Sequence, residues 1–307
     1  MSRLSLDAAF ELSDLIVDYD PDTLERRDVT LDTVLARLPA PPSARRMARA
    51  LASGTGVLDR ARADAVLVRS HLELQRLHEE FRVGLLMRDL VVPMIDVARR
   101  RAAGRRIRVV DLGCGLGFVV RWLAARGGLG PDVDLIGADC NRALITAAQR
   151  LADEERLDCR FVAGNAFALR EPADVIISIG VLHHFRGDEL AAVFAQHERS
   201  PATGFVHVDI RPSRIAPIGS WIFHRARMRE PLARFDGVRS VVRAHRADAV
   251  CRAAASGAPG FTLALVDARP GLAGLLRIFQ SVIGVRGVDG EAVRQAYAGF
   301  GRRLELA

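Results

Sequence analysis

The 307-residue sequence has no lysine: its 44 basic residues are all arginine and stand against 37 acidic residues, for a formal charge of +7. No dense basic block of the tail type occurs. The nearest cluster, Arg99-Arg100-Arg101 with Arg105-Arg106, leads directly into an apolar run and reads as a solvated helix end. A basic surface still attracts nucleic acid, acidic lipid or anionic small molecules, so the charge alone does not choose a partner. Cysteine is scarce. Cys114, Cys140, Cys159 and Cys251 form no CxxC pair and no zinc spacing, which excludes a disulfide framework and a metal knuckle and suits a reducing cytosol. No metal site is expected. No stretch reaches the roughly 18 consecutive apolar residues of a membrane span. The first residues, Met1 to Asp7, meet charge before an apolar run of signal-peptide length develops. The expectation is a soluble, cytoplasmic protein. Internal repeats and low-complexity tracts are also absent.

What is present is an ordinary globular balance, half apolar and a quarter charged, in a chain long enough for one catalytic domain with extensions. Residues 1–104 read as a helical N-terminal extension serving as a substrate lid. The clearest helix is predicted from His71 to Leu90, with Leu74, Leu77, Phe81 and Leu85 on one stripe. It is preceded by a proline connector, Leu38-Pro39-Ala40-Pro41-Pro42-Ser43. From Ile107 the texture changes to short apolar runs alternating with amphipathic helices: Ile107 to Leu112, Val133 to Ala138, Cys159 to Ala163, Asp174 to Ile179 and Phe205 to Ile210. Between them lie the stripes Val119-Trp122-Leu123, Leu144-Ala148-Leu151 and Leu190-Val193-Phe194. Five strand-helix units in succession predict a doubly wound, Rossmann-like α/β core over residues 105–212. Residues 213–307 are expected to complete the sheet and add lid elements. Phe261 to Val266 reads as a strand, Ile278 to Val285 as its antiparallel neighbour, and Gly290 to Leu304 as a closing helix.

The first strand ends in Val109-Val110-Asp111 and breaks into Gly113-Cys114-Gly115-Leu116-Gly117 before a helix near Phe118. A glycine-rich turn between strand and helix lets a ligand pack on bare backbone beside unpaired N–H groups. The dinucleotide fingerprint G-x-G-x-x-G needs glycine where this chain has Phe118, and the P-loop Lys-Ser/Thr is missing. Asp111, just before the turn, is poorly placed for a pyrophosphate and well placed for an ammonium group. Asp139 ends the second strand, where a carboxylate can accept both hydroxyls of a ribose. Its other reading is the N-cap of the following helix.

Val109 to Phe118 resembles motif I of the class I S-adenosylmethionine (SAM) dependent methyltransferases, and the later blocks follow in that family's order. Asp139-Cys140-Asn141 looks like the ribose-binding acid and its followers. Gly164-Asn165-Ala166 is similar to the Gly-Asp-Ala block whose polar side chain contacts the adenine amino group, with asparagine in place of the commoner aspartate. Gly180-Val181-Leu182-His183-His184-Phe185 resembles the "LHH" block of the small-molecule methyltransferases. The resemblance covers roughly residues 105–212 and implies a seven-stranded sheet with SAM as cofactor and S-adenosylhomocysteine as product. The cofactor-binding residues it implies are Asp111, Gly113, Cys114, Gly115, Gly117, Asp139, Cys140, Asn165, Ala166 and Gly180.

Methyl transfer is an in-line displacement, so a protein chiefly aligns donor and acceptor and, for a protic acceptor, supplies a base. His183 is the first candidate base, because it leaves the carboxyl end of the fourth strand and titrates near neutrality; His184 is the second. His207, Asp209 and Arg211 share one face of the fifth strand, as a pocket wall or a structural cluster. Tyr19, His224, Arg225 and Arg227 reach the pocket if the flanking segments fold over it; Trp221 and Phe223 read as lid or core packing. The Asn/Asp-Pro-Pro-Tyr/Phe block of amino-methyltransferases acting on DNA, RNA and protein is replaced by Ile179-Gly180-Val181-Leu182, which counts against nucleic acid as partner. The reading is transfer of a methyl group to a small-molecule acceptor, on O, N or C, with a homodimer left open. The alternatives are an RNA- or DNA-modifying methyltransferase and a non-catalytic partner protein that keeps the fold.

Overall fold

The computed structural model describes residues 10–38, 42–267, 278–297 and 304–306. Pro39 to Pro41 of the proline connector, and the stretch 298–303 of the closing helix, lie outside the described residues. The chain forms two compact units. One comprises Met1–Leu77 with Pro212–Ala244 and the other His78–Arg211 with His245–Ala307, so residues 78–104 count with the sheet and 212–244 with the N-terminal part.

In the larger unit, eight strands form one sheet: β1 (Ile107–Leu112), β2 (Val133–Asp139), β3 (Arg160–Ala163), β4 (Val175–Ile179), β5 (Gly204–Ile210), β6 (Phe261–Asp267), β7 (Phe279–Arg286) and β8 (Leu304–Leu306). Their order across the sheet is β8-β6-β7-β5-β4-β1-β2-β3. The first five are mutually parallel, whereas β7 runs antiparallel to both β5 and β6. The expected doubly wound sheet of seven strands is therefore present as β1 to β7. Two details differ. Leu304, expected to end a helix, lies in the short strand β8 on the edge of β6, and the helix before it spans only Gly290–Ala296.

Both faces of the sheet are covered, and for that reason the parallel strands read as continuous apolar runs. Along β1, Ile107 and Val109 enter one core with Val83, Met87, Leu90 and Met94, while Val110 and Leu112 enter the other with Ile176, Phe194 and Phe205. The strand period of two sends neighbouring residues to opposite faces. The helix carrying Val83, Met87, Leu90 and Met94 spans Val83–Arg101 and is anchored by the buried Tyr297, whose hydroxyl donates to the Leu90 carbonyl at 2.9 Å.

The predicted helix His71–Leu90 is two helices, Arg60–Glu80 and Val83–Arg101, separated at Phe81-Arg82, where Arg82 takes a left-handed φ of 54°. A single periodic stripe cannot reveal this break. The residues buried after it, Val83, Met87 and Leu90, lie on a different stripe from Leu74, Leu77, Phe81 and Leu85. Of the arginines read as a solvated helix end, Arg99, Arg105 and Arg106 stay partly exposed and form ion pairs, Arg99 with Asp132 and Asp96, Arg105 with Asp174, Arg106 with Asp134.

In the smaller unit the short helix Leu12–Leu15 has its first N–H groups taken by the Asp236 carboxylate, from Leu12 at 2.7 Å and Ser13 at 3.0 Å. Burial and the neighbouring Glu11 push the Asp236 carboxyl well above the usual range. Arg243 pairs with Asp14 beside it.

The β7 strand can cross the core only because residue 284 is glycine. A Cβ there would stand 2.3 Å from the ring of the buried Phe205. Gly284→Ala is expected to destabilise the protein by about 1–3 kcal/mol through overpacking; thermal melts check this, and an unchanged Tm would show that the ring can yield.

Candidate active site

Parallel pairing brings the carboxyl ends of β1, β2, β4 and β5 to one edge of the sheet, with Asp111 opposite Gly137 on β2 and Ile177 on β4. The chain leaves β1 through a turn in which Gly113, Gly115 and Gly117 all have positive φ, of 66°, 55° and 69°. Two of them are also sterically required. A Cβ at Gly113 would stand 2.7 Å from the Val181 side chain, and one at Gly117 would stand 2.1 Å from the Phe161 ring.

Asp139 holds this turn in place. Its carboxylate accepts from the backbone N–H of Gly115 at 3.0 Å and of Asn141 at 2.8 Å. The capping role weighed for Asp139 falls to Asn141, whose side chain accepts from Ala143 and Leu144 at the start of the helix Arg142–Glu154. Asp111 is 2 % exposed, and its Oδ1 has no hydrogen-bond partner within the protein. Desolvation, reinforced by the charge of Asp139, raises its carboxyl well above the usual range. The same burial and the two carboxylates raise the Cys114 thiol. Cys140 is exposed. Asn165 Oδ1 accepts from the Phe167 N–H at 2.9 Å in a tight turn after β3, next to Ala166. Gly180 leaves β4 with φ of 63°, its N–H bonded to the Val208 carbonyl.

The segment Leu182–His184 is a single 3-10 turn. His183 is buried and clamped by Asp209 from β5: one carboxylate oxygen accepts from the His183 backbone N–H at 2.9 Å, the other lies 2.8 Å from Nδ1. Burial would raise the Asp209 carboxyl, but the His183 charge and these hydrogen bonds outweigh it and hold the pKa below the ordinary value. Asp209 therefore remains an anion that accepts from Nδ1–H, so that whenever the ring is neutral Nε2 is its acceptor nitrogen. His184 is half-buried against it, ring centroids 4.4 Å apart. His245 was not singled out by sequence; its Nε2 lies 2.8 Å from the Phe185 carbonyl and 3.2 Å from that of Leu182, so its ring secures the same turn. No local pattern signals a histidine 60 residues downstream of the carbonyl it meets.

The face of β5 divides into two arrangements. Asp209 serves His183, whereas His207 enters a buried chain from Ser178 Oγ to His207 Nδ1 at 2.7 Å, and from His207 Nε2 to His197 Nε2 at 2.8 Å. Arg211 is half-buried. Tyr19, Trp221, Phe223, His224, Arg225 and Arg227 belong to the smaller unit.

Residues 109–204 match the family model of a methyltransferase domain. That stretch, just under a third of the chain, carries β1 to β4 and the start of β5, with the glycine turn and the Leu182–His184 turn. No curated protein matches the chain. Among solved structures, the chain is similar to magnesium protoporphyrin IX methyltransferase from Synechocystis PCC 6803, crystallised with S-adenosylhomocysteine, at 17% identity over 69% of this chain and 87% of that one, with a TM-score of 0.46. It is also similar to the plantazolicin methyltransferase BamL, at 12% identity over 73% and 97% of the two chains, TM-score 0.48. A third is a TehB-like methyltransferase from Corynebacterium glutamicum, at 16% identity over 63% and 87%, TM-score 0.39. Among the described residues no helix is long and apolar enough to cross a membrane.

The stacked His197 and His207 have a consequence for the stability of the protein. Desolvation, with their mutual repulsion adding to it for His197, holds His197 well below the ordinary histidine pKa; desolvation brings His207 to about 3. Below pH ~6.5 the unfolded chain takes up protons that the native pair refuses, so stability falls with pH through that range, by about 1.4 kcal/mol per histidine for each pH unit. Asp111 and Asp236, whose native pKa values are raised, act in the opposite direction above the ordinary carboxyl range. Melts between pH 7.5 and 5.5 should therefore show a steeper loss of Tm for wild type than for a His197→Leu/His207→Leu variant; parallel curves would contradict the assignment.

Proposed function

We propose that the protein is a SAM-dependent methyltransferase that methylates a small-molecule acceptor whose attacking atom carries a proton, with His183 as general base and Asp209 as the residue that positions it. The observation that carries this reading is the two-point clamp of His183 by a buried Asp209 carboxylate at the carboxyl edge of the sheet. An imidazole fixed in the Nδ1–H tautomer offers Nε2 to a proton and gains a stabilising anion once it becomes charged. The same pattern of orienting carboxylate and acceptor imidazole serves other group-transfer sites. His184, against the ring, is the secondary candidate.

For the cofactor, the reading assigns Asp111, Gly113, Cys114, Gly115, Gly117, Asp139, Cys140, Asn165, Ala166 and Gly180. The fit rests on the unpartnered, buried Oδ1 of Asp111, which requires a donor, and on a glycine turn that leaves backbone where a Cβ would otherwise stand. SAM has an ammonium to satisfy Asp111, and when bound it supplies an electrophilic sulfonium methyl. Asp139, already holding the turn, retains lone pairs for a ribose diol. The absence of an Asn/Asp-Pro-Pro-Tyr/Phe block after β4 supports a small molecule over a nucleic-acid base.

Calorimetry with SAM and S-adenosylhomocysteine tests the cofactor assignment. Affinity for SAM should rise with pH above the ordinary carboxyl range, as Asp111 ionises. Asp111→Asn should weaken binding on the order of 10- to 100-fold and abolish that dependence. Failure of wild type to bind at high micromolar ligand would sink the reading. His183→Ala should leave cofactor affinity nearly intact and lower kcat by about 10²-fold or more. Asp209→Asn should lower kcat and move the acidic limb of the kcat/KM profile to lower pH, because the anion favouring the charged ring is gone. An unchanged rate for His183→Ala would assign the ring to packing. Acceptors are found by screening metabolites for S-adenosylhomocysteine release.

A further inference from the structure

One helix of the smaller unit, Ala216–Arg227, has no buried residue. On it and just before it, Ile215, Ile218, Trp221 and Ile222 are 76%, 66%, 53% and 58% exposed. The spacing of three and four places them along one stripe. The opposite side is seated: Ser220 Oγ donates to the Gly237 carbonyl at 3.0 Å, and the His224 ring packs so closely on Gly237 that a Cβ there would stand 2.1 Å away. The helix thus rests on the helix Pro231–Arg243 through its small and polar side and presents its large apolar side outward.

The charge around the stripe has one sign. Between Asp209 and Glu230 the sequence has no acidic residue, and Arg214, Arg225, Arg227 and Arg229 are all exposed. The Arg225 guanidinium lies over the Trp221 ring, 5.3 Å from its centroid. A solvated helix face would carry polar residues at these positions. A contiguous apolar stripe rimmed by cations marks a binding surface. Pairing with the same face of a second copy would set arginine against arginine. Nucleic acid would match the arginines and leave three isoleucines unsatisfied. A bilayer with anionic headgroups matches both: aliphatic side chains enter the acyl boundary, tryptophan sits at the interface, and arginines reach lipid phosphates.

We propose that the Ile215–Arg229 segment docks the protein peripherally on an anionic membrane surface. The face lies outside the residues assigned to methyl transfer, so this inference stands or falls apart from the catalytic reading. Full-length protein is sedimented with phosphatidylcholine vesicles with and without phosphatidylglycerol. At least about tenfold more protein should pellet with the anionic vesicles, high salt should release it, and Ile218→Asp/Ile222→Asp should reduce it to the phosphatidylcholine level while the far-UV spectrum stays unchanged. As a second readout, brominated lipid should quench tryptophan emission in wild type and lose most of that effect in Trp221→Phe. Absence of binding to anionic vesicles overturns the proposal, as does binding indifferent to both variants. A dimer or a nucleic-acid complex that the aspartate variant disperses, without vesicle binding, assigns the face to that other occupant.

Discussion

The Asp139 carboxylate, shared between the Gly115 and Asn141 backbone N–H groups, is the interaction on which the rest of the candidate site depends. A turn of three glycines at positive φ loses more conformational entropy on ordering than any other backbone. Here one charged acceptor at the end of the neighbouring strand fixes its middle. The parallel register of β1 and β2 makes this feasible, because it delivers Asp111 and Asp139 to the same edge. Phe161 and Val181 then press on the turn from β3 and from the segment after β4. Enlarging a glycine would therefore disturb the packing of the flanking elements as well as the turn itself.

Burial sorts the ionisable groups of this edge into two kinds. Asp209 is desolvated yet stays charged, because an imidazole and two backbone N–H groups surround it. Asp111 is equally desolvated with no donor for one oxygen, and its carboxyl is pushed well above the usual range. His197 and His207 lie deeper, face aromatic rings on several sides, and remain neutral. One strand, β5, thus carries His207 as a structural group and, two residues on, Asp209 as a functional candidate.

The α/β core was legible because each strand is a short apolar run and each helix a periodic stripe, down to the antiparallel pair β6 and β7. Motif spacing likewise pointed to the glycine turn, the acids bracketing it and the Leu182-His183-His184 block. Local pattern failed where long-range packing overrode it. The helix around Leu74 to Leu85 breaks at Arg82 because the stripe that meets the sheet differs from the one the periodicity suggested. Leu304 pairs with Val266 of β6 instead of continuing a helix, since a free sheet edge offers hydrogen bonds that a short helix end lacks.

The sequence by itself determined the fold class and the position of the turn, because strand period, helix period and glycine spacing are local properties that survive without tertiary context. Only the tertiary structure decided which acid serves which group. Asp209 turned out to orient His183, Asn141 rather than Asp139 to cap its helix, and His245 to secure the histidine turn. These pairings join residues distant in sequence, and their energies come from the exclusion of water once the sheet and its covering helices have closed around them.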